Sequence, residues 1–206
     1  MKRIFGTIRR VASTLLPTKW GAFQMIGFER PPVGGGCAET AIVLILNDPT
    51  HGAPLLRIHS QCFTGDVLKS LRCDCGDQLE LAMRTIAEAR CGLLIYEYQE
   101  GRGIGLMAKL QAYALQDRGV DTIAANHALG FAADCRDFSL PVAVLSHLEI
   151  RRVRLLSNNP DKLRALVNAG IEVVERIPCE IPPNPHALAY MRTKKEQMGH
   201  TLTLVY

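Results

Sequence analysis

Cys62, Cys73 and Cys75 are the residues best equipped for chemistry in this chain, and they share the stretch 57–76. Cys73 and Cys75 are separated by Asp74 alone, on what reads as a tight turn, and Cys62 comes shortly before it. Thiolates are soft ligands that suit a tetrahedral ion such as zinc. Structural zinc sites are usually closed by four protein ligands, whereas catalytic ones keep three and hold a water in the fourth place. Three thiols without an evident fourth partner point to an open site. His59 is a candidate fourth ligand, and spacing alone leaves a closed zinc knot or three unrelated thiols as alternatives. An ion with an open place lowers the pKa of bound water to about 7 and so supplies a nucleophile for electrophilic carbon.

Three further clusters carry chemical groups. Gln99-Glu100-Gly101-Arg102-Gly103-Ile104-Gly105 is a glycine-rich turn before a helix, suited to phosphate at backbone N–H groups. It is not a dinucleotide fingerprint, because Leu106 stands where the last glycine belongs. Glu100 could accept paired N–H donors from a guanine edge and Arg102 could hold phosphate; the bland alternative is a tight turn with a solvated ion pair. In the stretch 126–137, Asp134 and Asp137 bracket Arg136, which fits a base, an orienting carboxylate or a salt bridge; Asp137 also fits a helix cap. In Leu155-Leu156-Ser157-Asn158-Asn159-Pro160-Asp161-Lys162, a strand ends in hydroxyl and amide groups at a helix start, an anion pocket to which Lys162 adds charge. Asn159 fits a simple N-cap in the same place.

These clusters need elements to hold them at strand ends. Aliphatic, β-branched runs predict strands over 40–46, 55–59, 93–98, 153–156 and 171–177. Helical spacing predicts helices over 78–89, 106–116, 137–148, 160–170 and 187–198. Pro and Gly mark loops at 31–36 and 178–185. From about residue 91 strands alternate with helices, while the first half is richer in strands. That order predicts an α/β fold: a mixed, largely parallel sheet with helices on both faces, a three-layer αβα arrangement. Residues 1–12 read as a mobile leader and 13–206 as a single catalytic domain. Ligands in such folds bind beyond the carboxyl ends of strands, where all four clusters fall.

Composition narrows the partners. The 206 residues are 48% apolar and 21% charged, with a net charge of +4 and no long run of Lys or Arg. Nothing there calls for nucleic acid; single arginines beside glycines suit small anions. No apolar run approaches the roughly 18 residues of a membrane span, and no secretory signal follows the basic start. Seven cysteines in such a chain fit free thiols in a reducing cytoplasm, some of them on metal.

Taken together, the motifs resemble the GTP cyclohydrolase II family. The resemblance is carried by Arg57-Ile58-His59-Ser60, Cys62-x-Thr64-Gly65-Asp66, Arg72-Cys73-Asp74-Cys75-Gly76 and Gln99-Glu100-Gly101-Arg102. It continues through Ala112-Tyr113-Ala114-Leu115-Gln116-Asp117, Gly130-Phe131-Ala132-Ala133-Asp134, Arg154-Leu155-Leu156-Ser157-Asn158-Asn159-Pro160 and the ending 194–200. It implies zinc on Cys62, Cys73 and Cys75. It implies a nucleotide site of Arg57, Ile58, His59, Ser60, Gln61, Gln78, Glu100, Gly101, Arg102, Thr122, Ser157 and Lys162. Asp134 matches a proton acceptor, Arg136 a nucleophile on the α-phosphate, and Tyr113 a tyrosine linked to ring opening. The implied reaction takes GTP with Mg2+ and releases formate and pyrophosphate, in a homodimer. Arg136 as a nucleophile conflicts with the permanent charge of guanidinium, so charge stabilisation on phosphate is the alternative. Gln61 departs from the usual glutamate, Gly103 from asparagine, Ser157 from threonine, and Asp77 from a bulkier residue. Gln61 leaves open a paralogue that stops at the formamide or feeds another pathway. A non-catalytic nucleotide-binding zinc module is the third reading.

Overall fold

A computed structural model describes residues 7–32 and 37–205. Its frame is a seven-stranded mixed sheet in the order β1-β2-β3-β5-β4-β6-β7. The strands are β1 (Arg9–Thr18), β2 (Gly21–Arg30), β3 (Glu39–Leu46), β4 (Leu55–Ser60), β5 (Gly92–Glu97), β6 (Arg152–Leu156) and β7 (Glu172–Ile177). β1, β2, β3 and β5 pair antiparallel in succession. β4 with β6 and β6 with β7 pair parallel. The helices are α1 (Cys75–Glu88), α2 (Leu106–Gln116), α3 (Thr122–Ala128), α4 (Ser139–His147), α5 (Pro160–Asn168) and α6 (Leu188–Gln197). The expected α/β fold is the observed one.

Side-chain pattern explains where each strand sits. β3 alternates, with Ala41, Val43 and Ile45 buried, as a strand with one face on the core does. β4 is buried from Leu55 to His59 without alternation, the mark of a central strand covered on both faces. β1 is exposed over most of its length, and β7 carries Glu172, Glu175 and Arg176, so charge and exposure fall on the sheet edges.

β1 and β2 were not expected. β1 corrects the leader assignment, because Arg9 to Ala12 belong to the sheet. Their backbones pair with β2, and Arg9 forms an ion pair with Glu29 at 2.6 Å. Residues 1–6 and 33–36, within the expected leader and the Pro-Gly loop, lie outside the described residues.

The described residues group into two compact units. The first takes residues up to His59, Glu80–Tyr98 and Phe138–Cys179; the second takes Ser60–Leu79, Gln99–Asp137 and the residues from Glu180 onward. The first unit holds the main core, including Ile26, Phe28, Val43, Leu56, Ile58, Ile95, Leu145 and Leu155. In it α4 packs on β3 and α5 on β7. α5 opens with Asn159 as N-cap, its Oδ1 accepting from Asp161 N at 2.8 Å, and with Pro160 at the first turn. α4 starts two residues later than expected. Phe138, not Asp137, is its N-cap residue, and Asp137 N–H instead donates to Gln99 Oε1 at 2.8 Å. In the second unit α2 packs on α3 and α3 on α6. A smaller apolar cluster there joins Ala187, Met191, Leu202 and Val205.

Candidate active site

The second unit brings the three cysteines together. After β4 the chain makes a five-residue π-helical turn, Phe63–Val67, which leads through a loop to the start of α1 at Cys75. Asp66 closes the turn by accepting from Cys62 N at 3.0 Å, while its own N–H donates to Cys62 O at 2.7 Å. The three Sγ atoms lie within 4.8 Å of one another, and Cys62 Sγ is 3.7 Å from Cys73 Sγ. Sulfurs bound tetrahedrally to zinc at about 2.3 Å would stand about 3.8 Å apart. The donor set therefore fits zinc. Among the described residues His59 is not a member of this group.

Glycine makes the approach possible. A Cβ on Gly65 would meet Cys73 Sγ at 3.0 Å, Cys75 Cβ at 3.1 Å and Cys62 Sγ at 3.2 Å. One on Gly76 would stand 2.3 Å from the Gly65 carbonyl oxygen. Hydrogen bonds from the Cys73 and Cys75 thiols, aided by the Lys109 charge, push the Cys62 thiol far below its ordinary value. The same hydrogen bonding pushes Cys73 up to about 11 and raises Cys75 well above its ordinary value. A divalent ion bound there would favour the thiolate form of all three.

A buried ion pair lies against it. Lys109, on α2, donates to Glu100 Oε1 at 2.8 Å, Thr64 Oγ1 at 2.9 Å and Cys62 Sγ at 3.2 Å. Burial alone would lower its pKa, but Cys62 and Glu100 outweigh that and raise it. Glu100 also accepts from Phe63 N at 2.6 Å and Gly101 N at 2.8 Å. Both of its oxygens thus bind protein donors. Tyr113, one helical turn beyond Lys109, hydrogen-bonds with Thr64; burial pushes its phenol up to about 12 against the pull of that bond and of Lys109.

Arg102 and Arg136 supply the cationic side. Gly101 and Arg102 both take left-handed backbone, φ 62° and 63°. Arg102 Nη1 reaches Ala133 O at 3.4 Å, its guanidinium stands 5.3 Å from the Tyr190 ring, and Nη2 is buried without a hydrogen-bond partner among the described residues. Arg136 Nε donates to both Asp134 oxygens, at 2.9 and 3.1 Å, and Nη2 completes the pair. Arg136 Nη1 reaches Ser60 Oγ at 3.3 Å. Burial works to raise the Asp134 carboxyl, but the Arg136 hydrogen bonds and charge hold it below the usual carboxylate range.

One pocket in the second unit is lined by Ser60, Gln61 and the three cysteines, together with Glu100, Gly101, Arg102, Thr122, Tyr113 and Arg136. Most of the expected site residues outside the first unit therefore share a wall. Asp121, at the spacing a dinucleotide fingerprint gives its acidic residue, caps α3 by accepting from Ile123 N and Ala124 N, and so presents Thr122 at the helix start. Gln78 is not in the lining; its amide donates to Asp74 in the first turn of α1.

Sequence reasoning missed Lys109, Asn126 and Tyr190 in this lining. It also missed Lys194, whose Nζ bonds Asp74 Oδ1 at 2.7 Å between the paired cysteines. Lys194 and Asp74 are both buried; burial works to lower the Lys194 pKa, but Asp74, Tyr190 and Cys75 together outweigh it and raise it. A lysine three residues after Met191 in a tail helix gives no sequence signal of its own.

The remaining expected residues lie in the first unit. Arg57 and His59 are buried on β4; Arg57 Nη1 donates to Leu156 O at 3.2 Å, and His59 stacks on Tyr96 with centroids 5.4 Å apart. Ser157 Oγ accepts from Asn159 N at 3.1 Å, and Lys162 Nζ donates to Ile58 O at 2.9 Å. The Ile58 side chain is fully buried in the apolar core, because successive residues of β4 face covered layers. Only its backbone is polar, and the carbonyl holds Lys162.

The fold and site define an α/β protein with a cluster of three thiols that could hold a metal ion, in an arginine-lined pocket. The family model for GTP cyclohydrolase II matches residues 9–178. GTP cyclohydrolase-2 of Shigella boydii serotype 18 is 51% identical over 95% of this chain and 98% of its own length. The enzyme of Escherichia coli O9:H4 shows the same identity and coverage. A crystal structure of RibBX, a two-domain 3,4-dihydroxy-2-butanone 4-phosphate synthase from A. baumannii, matches at TM-score 0.49 and 18% identity, over 83% of this chain and 40% of that one. The chain belongs to the GTP cyclohydrolase II family, a family of hydrolases.

Proposed function

We propose that the chain hydrolyses GTP in a zinc-dependent reaction that opens the imidazole ring, releases formate and pyrophosphate, and leaves 2,5-diamino-6-(5-phosphoribosylamino)pyrimidin-4(3H)-one for riboflavin synthesis. The observation that carries the reading is the sharing of one pocket by the three thiols, Arg102, Thr122, Tyr113 and Arg136. Zinc held by Cys62, Cys73 and Cys75 would supply Lewis acidity and an activated water for attack on the imidazole carbon. Magnesium would accompany the triphosphate, and the working protein would be a cytoplasmic homodimer.

The chain's own groups then have distinct tasks. Arg102 offers a buried Nη2 to an anionic oxygen. Arg136, held by Asp134, stays a cation and stabilises charge on the α-phosphate; this role fits its hydrogen bonds better than nucleophilic attack does. Asp134, held ionised, orients that guanidinium and is available as proton acceptor. Tyr113 keeps its proton at neutral pH and can donate it as the ring opens. Arg57, His59, Ser157 and Lys162 are proposed as nucleotide ligands on the strength of the family likeness.

A second reading rests on Gln61, a neutral amide in the pocket wall next to Cys62. A changed charge there favours an enzyme that stops at the formamide. Incubation with GTP and Mg2+, followed by assays of formate and pyrophosphate and the ultraviolet spectrum of the product, separates the cases. Equal formate and pyrophosphate support ring opening followed by loss of formate, and pyrophosphate without formate, with the spectrum of a ring-opened pyrimidine, supports the formamide product. No turnover by zinc-loaded protein would sink both.

A further inference from the structure

We propose that Lys109 is a positioning residue for the thiol centre, its ammonium bound to Cys62 so that three thiolates can share one divalent ion and leave that ion electrophilic. The inference rests on the zinc reading above and adds a residue to it.

Geometry commits this lysine to the centre. An ammonium has three N–H donors, and Lys109 has three acceptors, Cys62 Sγ, Thr64 Oγ1 and Glu100 Oε1, at 3.2, 2.9 and 2.8 Å. The side chain is 10% exposed, so water is not a rival partner for it. Neighbouring backbone is shaped for its passage. A Cβ on Gly101 would meet Lys109 Cβ at 3.1 Å, and the turn before α2 is tied by Gly105 N to Glu100 O at 3.0 Å.

Charge explains the need. Three thiolates around a divalent ion leave one net negative charge in a buried place, which is costly without a nearby cation. Lys109 is the cation whose hydrogen bond ends on a ligand sulfur. Glu100 does not cancel that bond; it shares its own charge among Phe63 N, Gly101 N and Lys109, and so holds the ammonium in place. The other buried pair here is Asp74 with Lys194, whose Nζ bonds Asp74 Oδ1 and Met191 Sδ rather than a cysteine sulfur. An N–H···S bond also draws electron density from the Cys62 sulfur. The bound ion then keeps more of its own charge, which strengthens its pull on a water or a substrate atom. Groups that support metal ligands in this way typically contribute about 10- to 100-fold to metal affinity.

The test uses metal-free full-length protein and three variants, Lys109→Met, Lys109→Gln and Lys109→Arg. Zinc affinity is read by competition with a chromophoric chelator, and Co2+ is added separately to read the sulfur-to-cobalt charge-transfer band. Circular dichroism of the metal-free forms checks that each variant folds. Lys109→Met should bind zinc about 10- to 100-fold more weakly, with the cobalt band moved to lower energy, because a sulfur without its N–H partner gives up an electron more easily. Lys109→Gln, which keeps a donor but not the charge, should show a smaller band shift and still weaker zinc binding than wild type. Lys109→Arg should recover part of the affinity. If Lys109→Met fails to fold, the Gln and Arg variants carry the comparison. Zinc affinity and cobalt spectrum unchanged in the folded neutral variants would overturn the role of Lys109 and leave the zinc site intact. Wild-type protein that gives no thiolate–cobalt band would overturn the zinc reading itself, and this inference with it.

Discussion

Replacing Gly65 by alanine tests whether the thiols are packed for a metal. The added Cβ would meet Cys73 Sγ at 3.0 Å, Cys75 Cβ at 3.1 Å and Cys62 Sγ at 3.2 Å, so it is hemmed in by all three cysteines. None of these atoms is the loose end of a long side chain, and Cys62 and Cys73 are buried. Relief requires spreading the sulfurs. Overpacking of this kind costs typically about 1–3 kcal/mol, which, if it falls on the metal-bound geometry, is roughly five- to 150-fold in zinc affinity. Chelator competition on Gly65→Ala and wild type measures it directly. Gly27→Ala is the matched control, since a Cβ there meets only Val11 Cβ at 3.9 Å. Gly65→Ala binding zinc within twofold of wild type would refute the packing argument.

Other expected outcomes follow from the same contacts. Tyr113→Phe removes the proton that burial keeps on the phenol, so formate release should drop about 100-fold or more while pyrophosphate release persists; parallel product assays check it. Lys194→Met leaves Asp74 as an uncompensated buried charge and should cost about 3–5 kcal/mol in urea unfolding, with partial recovery when Asp74→Asn is added. Arg136 holds the Asp134 carboxyl below its unfolded value, so that pair contributes stability above about pH 4 that is lost as pH falls through the lower folded value. Denaturation midpoints measured from pH 6 to pH 3 should therefore fall less steeply in Asp134→Asn than in wild type.

The parts of the fold that were legible in the sequence are those where local pattern and final burial agree. β3 announces itself by an aliphatic run whose Ala41, Val43 and Ile45 end in the core, and β4 by Leu55, Leu56 and Ile58, which end there too. α5 carries its cap and proline in the order the helix needs. β1 and β2 were not legible: β1 mixes polar and apolar residues, is exposed over most of its length, and takes its identity from backbone pairing with β2, which leaves no period-2 trace. α3 is seven residues, mostly small or polar apart from Ile123, whose start is fixed by the Asp121 cap. In the site, thiols and arginines were visible because their chemistry is specific to their side chains. Lys109 and Lys194 were not, because a lysine on a helix ordinarily faces water and only the folded chain shows the acceptors that bury it.

Stepwise return of zinc to metal-free protein, with GTP and Mg2+ in excess and formate as the readout, tests the three-thiol centre most directly. Formate release should rise in proportion to added zinc, reach its plateau at one ion per chain, and be absent from Cys73→Ser at every zinc level. Formate production that ignores zinc, or that survives in Cys73→Ser, would contradict a ring-opening reaction built on Cys62, Cys73 and Cys75.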